Sequence, residues 1–168
     1  MANKNASNTN LTVSSAGAIN YPSQPAFLAY LSSQATNVTG NNTIYTVLCD
    51  TEVIDQGGNY VPGTGIFTAP VTGLYNFTCG ITVSSLGAAT LMNLFLSTTT
   101  QSFFLWSINP ATIASGGIVT FSQNTFTQMT AGNTATMRIQ VNGIGADTAD
   151  VDGHATDYYT WFGGMLVA

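Results

Sequence analysis

The side chains able to act as acids, bases, nucleophiles or metal ligands are few in this chain. Most crowd into one stretch, Asp147-Thr148-Ala149-Asp150-Val151-Asp152-Gly153-His154, with Asp157 just beyond. His154 is the only histidine. Beside Asp150, Asp152 and Asp157 it has the residue types of a hydrolytic site, in which a carboxylate orients an imidazole base. The rest of such a site is missing: there is no Gly-x-Ser-x-Gly elbow, no Gly-Lys-Ser/Thr loop to cradle phosphate, and no His/Cys cluster at metal-binding spacing. A solvated loop histidine is preferred, and neither a catalytic residue nor an enzyme is expected. Asp147, Asp150 and Asp152 offer hard oxygen ligands at close spacing, with Gly153 to turn the backbone, and calcium accepts such ligands. Their spacing departs from the helical calcium loop, so a solvated acidic loop is preferred over calcium and no cofactor is expected.

Two cysteines, Cys49 and Cys79, are too few for a disulfide framework in 168 residues. Cys79 lies in the apolar phase of a strand and reads as a small buried hydrophobe, with a Cys49–Cys79 bridge as the alternative. Asn-x-Ser/Thr triplets begin at Asn5, Asn10, Asn37, Asn41 and Asn76, as chance provides in a chain so rich in these residues. Only Lys4 and Arg138 are positive against a net charge of −5, which excludes the basic groove that nucleic acid requires. Charged residues make up 5% of the chain, so hydroxyls and amides must supply the surface polarity and charge repulsion does little to oppose self-association. No apolar run approaches the roughly eighteen residues that span a bilayer, and Met1 to Asn10 lacks the profile of a signal peptide. Neither membrane insertion nor self-directed export is expected.

The elements that must position these residues read as strands. From Tyr75 the apolar residues fall on every second position, Tyr75, Phe77, Cys79, Ile81 and Val83, with polar or small residues between. Ala69-Pro70-Val71-Thr72-Gly73 suits a tight connection from Ile66-Phe67-Thr68, so these two segments are expected to form a hairpin. Turns at Gly57-Gly58-Asn59 and Pro62-Gly63-Thr64-Gly65 precede it. Further strands are predicted at 44–48, 91–96, 102–108 and 118–121, and at Ala135, Met137, Ile139 and Val141, which alternate with polar neighbours. Asn37 to Asn42 reads as a turn and Asp147 to Asp157 as an acidic loop. Phe67, Tyr75, Phe77, Ile81, Met137 and Ile139 are the expected core. With 45% apolar residues the chain can fill one core, and about eight to ten short strands without a helix make an all-β sandwich of two antiparallel sheets or a jelly roll. Residues 1–20 hold almost no large apolar side chain and are expected to form an arm or linker.

Two segments depart from the alternating pattern. Ala26 to Leu31 and Tyr158 to Val167 are apolar and aromatic in both phases, so both faces of each must be covered. A short helix from near Ser23 is the competing reading for the first, since Phe27 and Leu31 are four apart. As strands they need a second covering surface, and one core cannot provide it. The chain is therefore expected to be an obligate oligomer that joins through Phe27, Tyr30, Tyr159, Trp161 and Phe162.

The pieces Pro25-Ala26-Phe27 with Tyr30, then Tyr60, Thr64 to Pro70, Gly73 to Phe77, Gly132-Asn133 and Phe162-Gly163-Gly164-Met165-Leu166 together resemble the C1q and tumour-necrosis-factor-like globular heads. More closely, Gln24 to Tyr30, Ile54 to Tyr60, Phe67 to Gly73 and Tyr159 to Gly164 are similar to C1q-type heads at the tips of bacteriophage fibres. The resemblance implies a jelly-roll head over residues 25–168, a homotrimer, carried on a fibre or virion by an arm at 1–24 and used for host attachment. A host surface glycan or protein would be met by loops distal to the arm, such as Thr98, Thr99 and Thr100 or Asp150, Asp152 and His154. A secreted or cell-surface lectin-like module and a capsid-decorating protein are the alternatives, the former extracellular rather than on a virion. Absence of a Gly-X-Y tract argues against an animal complement-type member.

Overall fold

The computed structural model describes residues 12–114 and 116–168. In chain order the elements are β1 (Thr12–Val13), β2 (Ile19–Asn20), β3 (Ala26–Tyr30), β4 (Ala35–Thr39), β5 (Ile44–Thr46), β6 (Thr51–Gln56), β7 (Tyr60–Val61), β8 (Ile66–Thr68), β9 (Gly73–Ser84), β10 (Leu91–Thr98), β11 (Ser102–Ile108), a 3-10 turn at Pro110–Thr112, β12 (Val119–Met129), β13 (Thr134–Asn142), β14 (Ala149–Val151) and β15 (Trp161–Leu166). They build two antiparallel sheets. One orders β11-β10-β13-β8-β7 with β5 also on β13; the other orders β4-β14-β9-β15-β3-β6 with β12 along the free side of β9. β1 and β2 form a separate small ladder, and the part of the expected arm at residues 1–11 lies outside the described residues.

The strand that alternates from Tyr75 is β9, and its inward phase, Tyr75, Phe77, Cys79, Ile81 and Val83, is buried throughout. Its length lets one edge take β12 along the whole strand while the other takes β15 and then β14. β13 does the same for the opposite sheet, turning Ala135, Met137, Ile139 and Val141 inward. Phe67, Tyr75, Phe77, Ile81, Met137 and Ile139 are all buried in the space between the sheets.

The expected hairpin between 66–68 and the Tyr75 strand does not form. β8 pairs with β7 and β13, whereas β9 pairs with β12, β14 and β15, so residues 69–72 cross from one sheet to the other. The reason is tertiary: Ala69 donates from its amide to the Asn133 carbonyl at 2.8 Å and accepts from the Gly132 amide at 2.8 Å, which diverts the chain into the β12–β13 turn. The segment 26–31 is a strand rather than the competing helix, and Tyr158 and Tyr159 precede β15 instead of lying in it.

Two strands fall where turn or loop was expected. β4 occupies residues read as part of a turn, and β14 occupies residues read as acidic loop; they pair with each other, and β14 also pairs with β9. Asn37 and Asn42 keep positive φ angles of 57° and 69°, the left-handed conformation that Asn tolerates better than most residues.

Both described ends of the jelly roll lie together. Pro25 accepts from the Leu166 amide at 3.0 Å, and Leu74 donates to the Ala168 carbonyl. That end also carries the β12–β13 turn, where Ala131 donates to Thr72 at 3.0 Å. At the far end β13 leads into Asn142 to Thr148, and Ile144 donates to Gly40 at 3.2 Å.

Candidate functional site

Each carboxylate of the acidic segment is committed to its own partners. Asp147 accepts from the Asn41 amide at 2.8 Å and from the Thr43 hydroxyl at 2.6 Å. Asp150 accepts from the Asn37 amide at 2.7 Å and the Ser85 hydroxyl at 2.8 Å. Asp152 takes the Gln34 side-chain amide at 2.6 Å and the Ser84 hydroxyl at 2.7 Å. The three therefore pin this segment to Gln34, to β4 and the turn after it, and to the end of β9 instead of converging on a cation; among the described residues no group of three His, Cys, Asp or Glu side chains is placed to hold a metal ion. The calcium candidates are structural staples.

His154 is equally local. Its Nδ1 faces the amides of Thr156 and Asp157 at 3.3 and 3.2 Å and lies 3.1 Å from the Asp157 carboxylate, an exposed pairing of the kind that contributes little to stability. Among the described residues, no nucleophilic hydroxyl other than that of Thr156, the residue closing this turn, is paired with the ring. The backbone amide of His154 donates to Leu31, which fixes the loop against β3.

The two loops expected at one distal tip lie at opposite ends. Thr98, Thr99 and Thr100 belong to the β10–β11 turn, where Thr99 donates to the Thr134 carbonyl at 3.0 Å at the start of β13. Asp150, Asp152 and His154 follow the end of β13. Antiparallel pairing of β10 with β13 sets Thr98 against Ala135 and Leu91 against Asn142, so the threonine turn shares its end with Pro25 and Ala168 and only the acidic segment lies at the other end.

Of the five side chains assigned to a subunit contact, two point the wrong way. Phe27 and Phe162 are 3% and 0% exposed and belong to the core of the chain itself. Phe27 stacks on Tyr60 and on Phe67 with ring centroids 4.8 Å away in each case, and Phe162 meets it edge-on at 5.0 Å. Gly164, opposite Phe27 in the β3–β15 ladder, leaves the room these rings need, because a Cβ there would press on Phe77 and Phe27. The alternate phase faces outward: Tyr30, Leu28 and Ala26 of β3 stand opposite Trp161, Gly163 and Met165 of β15. Trp161 lies flat over Gly80, whose missing side chain makes the space, and Tyr30 stacks on Tyr158 at 4.4 Å. Leu28, Tyr158 and Trp161 line a hollow of about 290 Å³. Tyr159 is exposed and turned toward His154, 5.4 Å between ring centroids. Met165 and Phe126, 52% and 53% exposed, extend this apolar outer face along β15 and β12.

Both cysteines are free and buried. Burial, with Asp50 adding to it, pushes the Cys49 thiol up to about 12, and burial likewise raises Cys79, so neither is a nucleophile near neutrality.

A second surface escaped the sequence reading. Across the outer face of the other sheet, Phe104, Phe95, Arg138 and Thr46 stand in one cross-strand row from β11 to β5. The signal was present, since Arg138 sits in the wet phase of its strand, but which aromatic residues it would meet depends on register.

A family model described as the C1q domain matches residues 26–167. Among solved structures, the globular domain of zebrafish complement 1qA aligns with a TM-score of 0.59 and 17% identity, covering 86% of this chain and 98% of that one. Murine APRIL, crystallised at pH 8.5, aligns with a TM-score of 0.58 and 11% identity over 86% of this chain and 99% of its own. No curated protein matches the sequence.

Proposed function

The chain belongs to the C1q domain family, and on that premise we propose that it is a non-enzymatic head that assembles as a homotrimer through the outer face of the β3–β15 sheet and serves host attachment on a virion fibre. C1q domains are commonly binding modules, often extracellular, and C1q and TNF-like domains typically form trimers. The observation that carries the reading is the outer face itself. Leu28, Tyr30, Trp161, Met165 and Phe126 present partly or fully exposed apolar surface on a sheet whose other face already fills the core. Burying such a face against copies of itself removes it from water, and a sheet with 5% charged residues in the chain offers little repulsion to oppose that. The fibre assignment is supported by the residue blocks Gln24 to Tyr30, Ile54 to Tyr60 and Tyr159 to Gly164. In the second of these, Asp55 accepts the amides of Asn59 and Tyr60 at 3.0 Å each, which closes the turn between β6 and β7.

With the N-terminal arm leading to the fibre, the distal end offers the turn after β4, Ser85 to Thr90 and the segment Asp147 to Thr156 to a host surface. Trimerisation multiplies weak loop contacts into useful avidity. Purified head is expected to bind host cells and to slow adsorption of the parent particle. If saturating head does neither, while deletion of the gene disrupts particle assembly, the protein is a structural component and the attachment reading is lost.

A further inference from the structure

We propose that the outer face of the β11-β10-β13-β5 sheet carries a saccharide site for a carboxylate-bearing sugar, with Arg138 taking the carboxylate and Phe104 the pyranose ring. The proposal rests on the domain being a binding head and names the class of ligand. Arg138 is the one Lys or Arg side chain among the described residues. It makes no salt bridge and no hydrogen bond there, and its Nε is enclosed without an acceptor. An arginine on a sheet surface ordinarily reaches a neighbouring carboxylate or carbonyl, because a desolvated charged donor without a partner is costly.

The surroundings explain the isolation. Phe95 stands directly across from Arg138 in the β10–β13 ladder, Thr46 on its other side, and Phe104 next to Phe95, whose ring it meets edge-on at 4.6 Å. Ile44, Phe95, Ser97, Ser102, Phe104 and Arg138 line a hollow of about 230 Å³. Phe104 is 65% exposed, so its ring is offered to solvent and not spent on the core. In the next cross-strand row Asn93 has a second enclosed polar atom without a partner, its Oδ1. An unpaired donor and an unpaired acceptor thus occupy adjacent rows of one face.

Ligand chemistry follows from what is present. One guanidinium balances one negative charge, which fits a carboxylate better than a phosphate that demands several donors. An exposed aromatic ring suits the apolar C–H face of a sugar, and the Ser97 and Ser102 hydroxyls, bonded to each other at 3.2 Å, can redirect to ring hydroxyls. A ligand reaches Arg138 from the face of the sheet, because β13 is paired on both sides at this point, with β10 and β5. Because the site lies on the opposite sheet from the proposed trimer face, assembly leaves it open, three copies to a head.

The test is titration of the full chain with glucuronate-terminated and sialyl oligosaccharides and with their carboxyl-reduced counterparts, read by calorimetry or ligand-observed NMR. Binding of at least one acidic sugar, loss on carboxyl reduction, and weakening by about tenfold or more in Arg138→Gln are expected, the size being that of a hydrogen bond to a charged group. Phe104→Ala, at an exposed position, should weaken binding without changing the melting temperature, which keeps the test valid should Arg138→Gln fold poorly. Equal affinity for acidic and reduced sugars, or undiminished binding in Phe104→Ala, overturns the site. If wild-type head binds cells but none of these sugars, the site falls and the binding-head reading stands; if it binds neither, both fall.

Discussion

Phe162 has no exposed surface and packs between Phe27 and Phe77, whereas its neighbour Trp161 lies on the outer face over Gly80. Adjacent aromatic residues in one strand therefore have separate roles. Truncating Phe162 to Ala should cost roughly 3–5 kcal/mol of unfolding free energy, measured by denaturant titration, because the rings around it cannot collapse fully into the cavity. Trp161→Ala should leave monomer stability nearly unchanged and act on assembly. Asp147 gives a pH-dependent signature. The hydrogen bonds from the Thr43 hydroxyl and then the Asn41 amide hold its carboxyl below the usual 3.8. A carboxyl whose folded pKa is depressed stabilises above its unfolded pKa and loses that contribution as pH falls through the folded value. Melting-temperature differences between wild type and Asp147→Ala should therefore be full at pH 6 and close progressively below pH 3.8.

At the scale of elements, one buried hydroxyl braces the joint between the two sheets at the distal end. Thr39 of β4 is 0% exposed; it donates to the Thr43 carbonyl at 2.6 Å and accepts from the Val141 amide of β13 at 2.8 Å. Thr39→Val keeps the shape and removes both bonds, leaving a carbonyl and an amide unpaired. A loss of about 1–3 kcal/mol is expected in urea unfolding, the cost of orphaning buried polar groups. If the variant unfolds at the wild-type midpoint, the amide of Val141 has another acceptor in solution. Strands β4 and β14 were not legible in sequence because β4 does not alternate and β14, though it buries Ala149 and Val151 on either side of Asp150, is only three residues long; the two are held by pairing with each other and by the bond from the Asn37 amide to Asp150. β9 and β13, by contrast, bury one whole phase, and burial is what writes period two into a sequence.

For the whole molecule, the outward row Tyr30, Trp161 and Gly80 decides the oligomeric state under the proposed assembly. Native mass measurement at micromolar concentration should give three chains per particle, and a stable monomer would remove the reading. Gly80→Ala should lower the trimer population while the chain still folds. A methyl group at that position would occupy the space of the indole, and Trp161, half-exposed, can swing away from the sheet. Wild-type-like assembly in this variant would place the contact elsewhere on the surface.

Sequence alone determined the all-β class, the core phase of the long strands, the apolar character of both faces of β3 and β15, and the residue blocks of the C1q domain. All of these rest on periodicity or on contiguous residues, which local chemistry dictates. Tertiary structure decided the rest. It sent 66–68 and 73–84 to different sheets, because the competing partner of Ala69 was Asn133, 64 residues on in the chain's turn between β12 and β13 and invisible to any local pattern. It divided the aromatic residues between core and outer face, since a strand apolar in both phases does not say which phase the glycines opposite it will admit. It also placed Phe104, Phe95 and Arg138 in one row, because a cross-strand row is fixed by register, and register is set by the packing of both sheets at once.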